Sequence, residues 1–155
     1  MREMQERFVP HGHVTIIDDL GNILVDKDNM IVKSGRIQIM KAVFSGEEID
    51  KDNFNIYFDN YSKATTEDTD YTILKEYIKK TNKPDSLTVK DDDNNPHVEI
   101  VYKLSGIISA VCGLGLEYIT GESDDEIHTL FSRVTYEPVY MKPNREYSVT
   151  YRIYF

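Results

Sequence analysis

The last eleven residues of the chain alternate between apolar and polar side chains without interruption. A β-strand directs successive side chains to opposite faces, so this period of two predicts a strand with one buried face and one solvent-facing face. On the polar side, only Tyr154 is not strongly hydrophilic. The positions predicted to be buried are Tyr147, Val149, Tyr151, Ile153 and Phe155.

Two shorter apolar runs lie near the other end of the chain, at residues 13–17 and 23–25. The polar segment between them contains Gly21 and Asn22, which tolerate the positive φ angles of tight turns. The two runs and the turn therefore predict a β-hairpin over residues 13–25. The polar residues 26–29 that follow predict a corner of the chain.

Residues 35–44 have the spacing of a helix, and Ser34 is placed to cap its N-terminus. Apolar side chains cover two neighbouring stripes of this helix, so we expect it to be largely buried. Ser45 and Gly46 predict its end. The two stripes are Ile37, Met40 and Phe44, and Ile39 with Val43.

Three further segments alternate as strands, at residues 54–58, 97–104 and 128–136. The polar, threonine-rich residues 59–70 predict a loop. The pattern of residues 70–80 fits a helix or a strand, and both interpretations stay open at this point.

These segments give seven to nine strands and one or two short helices, without the alternating strand and helix order of parallel sheets. Pro138 and Pro143 bracket a predicted connection into the terminal strand. The fold class we predict is mainly β: an antiparallel β-sandwich or barrel-like single domain with one or two short helices. Polar residues 1–12 predict an N-terminal arm outside the core, and residues 13–155 the β-rich structural domain.

The chain has 155 residues and a formal net charge of −9. Affinity for nucleic acid comes from clustered Lys and Arg, so this charge argues against direct nucleic-acid binding. One cysteine excludes an internal disulfide. The first residues lack the apolar run of a signal peptide, and the longest mostly apolar stretch, residues 106–116, is too short to span a bilayer. We therefore expect no membrane partner and assembly in the cytoplasm.

Candidate sites for chemistry are few. His11 and His13 could chelate a metal, but a third ligand at a fixed spacing is missing. The acidic runs 91–95 and 124–126 do not match the register of a calcium-binding loop. No nucleophile elbow, phosphate-binding loop or dinucleotide fingerprint occurs. We therefore expect a protein that is not an enzyme and that has no cofactor and no metal site.

Two segments carry a resemblance to a known group of proteins. The first, GHVTIIDDLGNILVDKDNMIV at residues 12–32, is followed by the predicted helix. The second, LFSRVTYEPVY at residues 130–140, runs into EYSVTYRIYF at residues 146–155. Together they resemble structural proteins of tailed-bacteriophage particles. The resemblance covers about the first third and the last quarter of the chain and does not extend to residues 51–103.

The resemblance implies a virion building block that is assembled in the host cytoplasm. Its partners would be other virion proteins or further copies of itself in a homo-oligomer or symmetric multi-copy assembly. The expected position is an accessory component of the tail, neck or baseplate. Two alternatives stay open: a capsid decoration protein that cements the shell, and a carbohydrate-binding module for attachment to the host surface.

Two surfaces are the candidates for partner contact. The N-terminal arm can reach a neighbouring subunit, and the polar face of the terminal strand carries an arginine and a tyrosine. Tyrosine suits protein surfaces because it is large, rigid and half polar. The candidate residues are Arg2, Arg7, Phe8 and His11 in the arm, and Arg152 and Tyr154 in the terminal strand.

Overall fold

A computed structural model describes residues 10–91, 94–107, 109–122 and 124–155. This part of the chain forms one antiparallel sheet of nine strands, with two short α-helices. The prediction of a mainly β fold is therefore confirmed. The strands are β1 (His11–Asp18), β2 (Ile23–Ile31), β3 (Phe54–Asp59), β4 (Ile78–Asn82), β5 (Ser86–Lys90), β6 (His97–Ser105), β7 (Ala110–Thr120), β8 (Ile127–Tyr140) and β9 (Glu146–Tyr154).

The order of the strands across the sheet is β4-β3-β7-β8-β2-β1-β9-β6-β5. The sheet curls, so that its two halves pack over one core. The Tyr102 hydroxyl, on β6, crosses this core and donates a hydrogen bond of 3.0 Å to the Phe54 carbonyl on β3. The junction between the halves is narrow, because β2 pairs with β8 only through Met30 and Ile31 in the described residues.

The core consists of the inward-facing residues of the long strands. From β9 it contains Tyr147, Val149, Tyr151 and Ile153, the four residues of the terminal alternation that lie within the strand, and each of them is buried. From β1 it contains Val14 and Ile16, so the hairpin predicted over residues 13–25 is also confirmed. A strict period of two was a sufficient signal for both elements.

The polar corner predicted at residues 26–29 is wrong, because β2 runs through this segment without a break. Three of the four side chains are exposed, and they extend the solvent-facing part of the strand. The exception is Asn29, which is buried and whose side-chain amide donates a hydrogen bond to the Tyr151 hydroxyl. The Ser132 hydroxyl also bonds with the Tyr151 oxygen, so this small polar network joins β2, β8 and β9.

The predicted connection between Pro138 and Pro143 is also placed differently, because β8 extends to Tyr140 and includes Pro138. A proline has no N–H to donate and is tolerated in a sheet at an irregularity. The register supplies one here: the pairing of β7 with β8 shifts between Val111 and Gly113, opposite Thr135 to Val139.

Helix α1 spans Lys33–Phe44 and α2 spans Tyr71–Leu74; single 3₁₀ turns occur at Lys51–Asn53 and Lys75–Tyr77. The open question at residues 70–80 has a mixed answer, since α2 and the 3₁₀ turn lead directly into β4. Of the loop predicted over residues 59–70, residues 60–70 form neither helix nor strand, as predicted, whereas Asp59 belongs to β3.

Two predictions for α1 are wrong. Val32 takes the N-cap position, and the Ser34 hydroxyl instead donates a hydrogen bond of 2.5 Å to the Leu130 carbonyl on β8. The buried residues of the helix are Gly35 and Gln38, whereas Met40, Val43 and Phe44 are 52%, 66% and 84% exposed. The helix therefore docks on the sheet through Gly35 and Gln38, with Ile39 partly buried against the core, and much of its apolar surface faces outward.

None of the described helices is long and apolar enough to cross a membrane.

Candidate interaction surface

Strands β2, β1, β9 and β6 lie side by side, and their outward-facing side chains form the surface that contains the predicted residues of β9. We call this the outer face; it includes His11, His13 and Thr15 on β1, Asp26, Asp28 and Met30 on β2, His97 and Glu99 on β6, and Thr150, Arg152 and Tyr154 on β9. Paired residues of antiparallel strands point to the same side, so the register aligns these side chains in rows.

The first row is aromatic. Tyr154 pairs with His11 on one side and with His97 on the other. The Tyr154 ring lies 5.2 Å from the His11 ring at an interplanar angle of 19°, and 4.9 Å from the His97 ring at 37°. The two neighbouring strands therefore each place an imidazole against the tyrosine ring, stacked in the case of His11 and tilted in the case of His97.

The second row is charged. Arg152 pairs with His13 and with Glu99, and the Arg152 Nε–H donates a hydrogen bond of 3.2 Å to Glu99 Oε2. His13 lies between two carboxylates of β2: Nδ1 is 2.7 Å from Asp28 Oδ1, and Nε2 is 2.5 Å from Asp26 Oδ1. Across the four strands the row therefore has two basic groups at its centre, His13 and Arg152, and an acidic group at each end, Asp28 and Glu99.

The charge state of His13 follows from this position. Partial burial alone would lower the pKa of the imidazole, but the hydrogen bonds and negative charges of Asp28 and Asp26 outweigh it and raise the pKa above its ordinary value. A protonated imidazole can donate from both nitrogens, one to each carboxylate. The outer face therefore holds an additional positive charge more readily than an isolated histidine would.

The structure brings together three of the six candidate residues: His11, Arg152 and Tyr154. His11 belongs to β1 rather than to an arm, because β1 begins at that residue and Gly12 is buried. The other three, Arg2, Arg7 and Phe8, lie outside the described residues.

Sequence reasoning missed the neighbours of these residues, among them His97, Glu99 and the two carboxylates of β2. The alternation of β6 does place His97 and Glu99 on a common face. However, nothing in a single sequence gives the register between β6 and β9, because their paired residues are more than forty positions apart.

The His11 and His13 pair does not form a chelate with a further ligand. In the part of the chain that the structure describes, no group of three or more His, Cys, Asp or Glu side chains is arranged to hold a metal ion. His13 is instead engaged by carboxylates, and the His11 ring stacks on Tyr154.

A second acid and base pair lies inside the molecule. Glu117 on β7 is fully buried, and its Oε2 is 3.2 Å from His128 Nδ1 on β8. Burial raises the pKa of the Glu117 carboxyl, although the nearby imidazole opposes this shift. The Tyr71 ring stacks on His128 at 4.4 Å, so this pair joins α2 to the sheet.

Comparison of the chain with protein-family models, with curated proteins and with solved structures gives no match.

Proposed function

We propose that this protein is a structural subunit of a tailed-bacteriophage virion that acts through protein–protein contact in many copies. Within the particle, we propose an accessory position in the tail, neck or baseplate over a capsid-decorating one. The particle and the position rest on the resemblance of the two terminal segments. The proposed mode of action, protein–protein contact, is supported by the arrangement of side chains on the outer face.

The contact surface that we propose is the outer face. It spans four adjacent strands, and its side chains are fixed by cross-strand stacking and ion pairs. Rigid side chains lose little conformational entropy when a partner binds, and tyrosine and arginine are enriched among the residues that dominate protein contacts. A row with basic groups at its centre and acidic groups at both ends can also match a complementary row of charges on a partner and so select the correct register.

The arrangement disfavours the carbohydrate-binding alternative at this surface. A sugar ring stacks on the open face of an aromatic side chain, and here the Tyr154 ring already contacts the His11 and His97 rings on the two neighbouring strands. Saturable binding of host-surface glycans by the isolated protein, lost in Tyr154→Ala, would support that alternative and contradict the present proposal.

Purified particles of the phage that encodes the chain provide the direct test. We expect the protein in them at a fixed stoichiometry, and its absence would contradict the virion role.

A substitution tests the contact surface. The Tyr154→Asp variant should fold, but its incorporation into particles should fall at least about tenfold, because a charge buried in the contact weakens binding by more than about 1.4 kcal/mol. Tyr140→Asp is the matched control, because Tyr140 is an exposed tyrosine at the end of another strand. Normal incorporation of Tyr154→Asp would show that the contact lies elsewhere, even if the virion role is correct.

A further inference from the structure

The outward side of α1 borders an apolar groove. The rim of the groove includes Met40, Val43 and Phe44 from the helix and Phe155 from the end of β9. We call this depression the α1 groove. Three such large apolar side chains on adjacent turns of one helix are more than the scattered exposure that is ordinary on protein surfaces.

The groove consists of two adjoining cavities that share Ile39, Val43 and Phe155. The deeper cavity has a volume of about 260 Å³ and lies between α1 and the inward faces of β5, β6 and β8. All its lining residues are apolar or aromatic, and they include Leu87 and Val98. An apolar cavity of about 150 Å³ can already hold a group of the size of benzene, so this one can accept an aromatic side chain.

The shallower cavity, of about 380 Å³, runs along the helix from Arg36 to Phe44. Pro10, the first described residue, forms part of its wall. Nine residues precede Pro10, and the two immediately before it are Phe8 and Val9. An extended chain covers about 3.3–3.6 Å per residue, so Phe8 begins within roughly 7 Å of this wall.

The charge of this segment does not oppose such a position. Its charged side chains are Arg2, Glu3, Glu6 and Arg7, and their formal charges cancel. The segment can therefore approach a protein of net charge −9 without a repulsive net side-chain charge.

We propose that residues 1–9 lie in the α1 groove of their own subunit, with the Phe8 side chain in the deeper apolar cavity. This inference goes beyond the proposed function and does not depend on it. It assigns Phe8 to an intramolecular contact, whereas the sequence analysis predicted a contact with a partner. It also accounts for the outward apolar side of α1, because burial of apolar surface stabilises the folded chain.

The chain contains no tryptophan, so Phe8→Trp introduces a single fluorescent reporter. In the folded protein we expect blue-shifted emission and several-fold weaker quenching by acrylamide than in urea-unfolded protein. Both values should stay constant over a wide dilution series in which light scattering shows a monomer. Emission like that of the unfolded chain at every concentration would overturn the proposal.

A second substitution tests whether the α1 groove is the site that holds the Phe8 side chain. Val43→Glu, in the Phe8→Trp background, should shift the emission to the red and restore quenching, because an apolar side chain in the groove would strip water from the new carboxylate, which is costly. Leu20→Glu is the control: Leu20 is 74% exposed and lies in the turn at the opposite end of β1, so the emission should not change. Met40→Gln provides a second groove variant if Val43→Glu does not fold.

Two further outcomes of the fluorescence experiment would indicate a different occupant of the α1 groove or a different position of Phe8. Blue-shifted emission that appears only with rising concentration and a dimer mass would assign the groove to the arm of a second copy. Protected emission that is unchanged in both groove variants would place Phe8 elsewhere on the subunit. Either result would overturn the proposal, and neither bears on whether the protein is found in virions.

Discussion

At the scale of single residues, the largest fully buried side chain among the described residues is that of Arg133 on β8. Its guanidinium forms a bidentate pair with Asp59 at the end of β3, with N–O distances of 2.9 and 2.7 Å. It also donates to the Tyr61 and Lys63 carbonyls, so it holds the start of the 60–69 loop against the sheet. Breaking a buried ion pair on one side leaves an unpaired charge inside the protein.

Arg133→Met should therefore lower the free energy of unfolding by about 3–5 kcal/mol, because Asp59 then stays buried without its partner. Urea titration followed by circular dichroism measures this loss. The control is Arg36→Met, which removes the exposed Arg36–Glu67 pair at 3.1 Å and should cost at most about 1 kcal/mol. Equal losses in the two variants would contradict the role of burial.

The residues of the outer face show which contacts could be predicted from the sequence and which could not. The alternation of β9 predicted that Arg152 and Tyr154 share the polar side of a strand, and the structure places them there. The role of His13 could not be predicted, because its two carboxylate partners come from β2 after the chain has reversed. The buried pair of Asp59 and Arg133 is likewise formed by residues that are 74 positions apart.

At the scale of elements, strands with a strict alternation were predictable, and those with weak patterns were not. Strand β5 was missed because its residues are mostly exposed, so no apolar period marks it. The burial of α1 was predicted wrongly for a related reason. The spacing of Ile37, Met40 and Phe44 identifies an apolar stripe, but it does not say whether the sheet lies against that stripe.

The side by which α1 docks is set by Gly35. A methyl group at this position would lie 2.2 Å from the Phe131 carbonyl oxygen on β8, so the glycine allows the helix to approach the sheet backbone. Gly35→Ala should lower the free energy of unfolding by about 1–3 kcal/mol through this overlap. Helix propensity alone predicts the opposite sign, a gain of about 0.8–1 kcal/mol. Thermal unfolding of the variant decides between the two, and a stabilised protein would show that α1 is free to move.

At the scale of the whole molecule, the order of strands in the sheet differs strongly from their order in the sequence. Strand β9 follows the other eight strands in the sequence, yet it lies between β1 and β6 and pairs with both along its length. The sequence predicted an antiparallel β fold, but the strand order depends on long-range pairings that a local pattern does not contain.

Deletion of residues 147–155 should therefore abolish cooperative unfolding, because it separates β5 and β6 from the rest of the sheet. Deletion of residues 1–9 removes the same number of residues and should leave a folded protein. Far-ultraviolet circular dichroism and calorimetry of the two variants provide the comparison. A cooperative transition in the C-terminally shortened chain would show that β9 is dispensable for the fold.

The two edge strands of the sheet, β4 and β5, are five residues each and are consecutive in the chain. They carry Lys79, Lys80 and Lys90, and short, lysine-bearing strands resist pairing with the strands of other molecules. Crowded copies of the protein can therefore meet side by side without merging into fibres. In the proposed multi-copy assembly, neighbouring subunits would therefore keep separate sheets rather than join edge to edge.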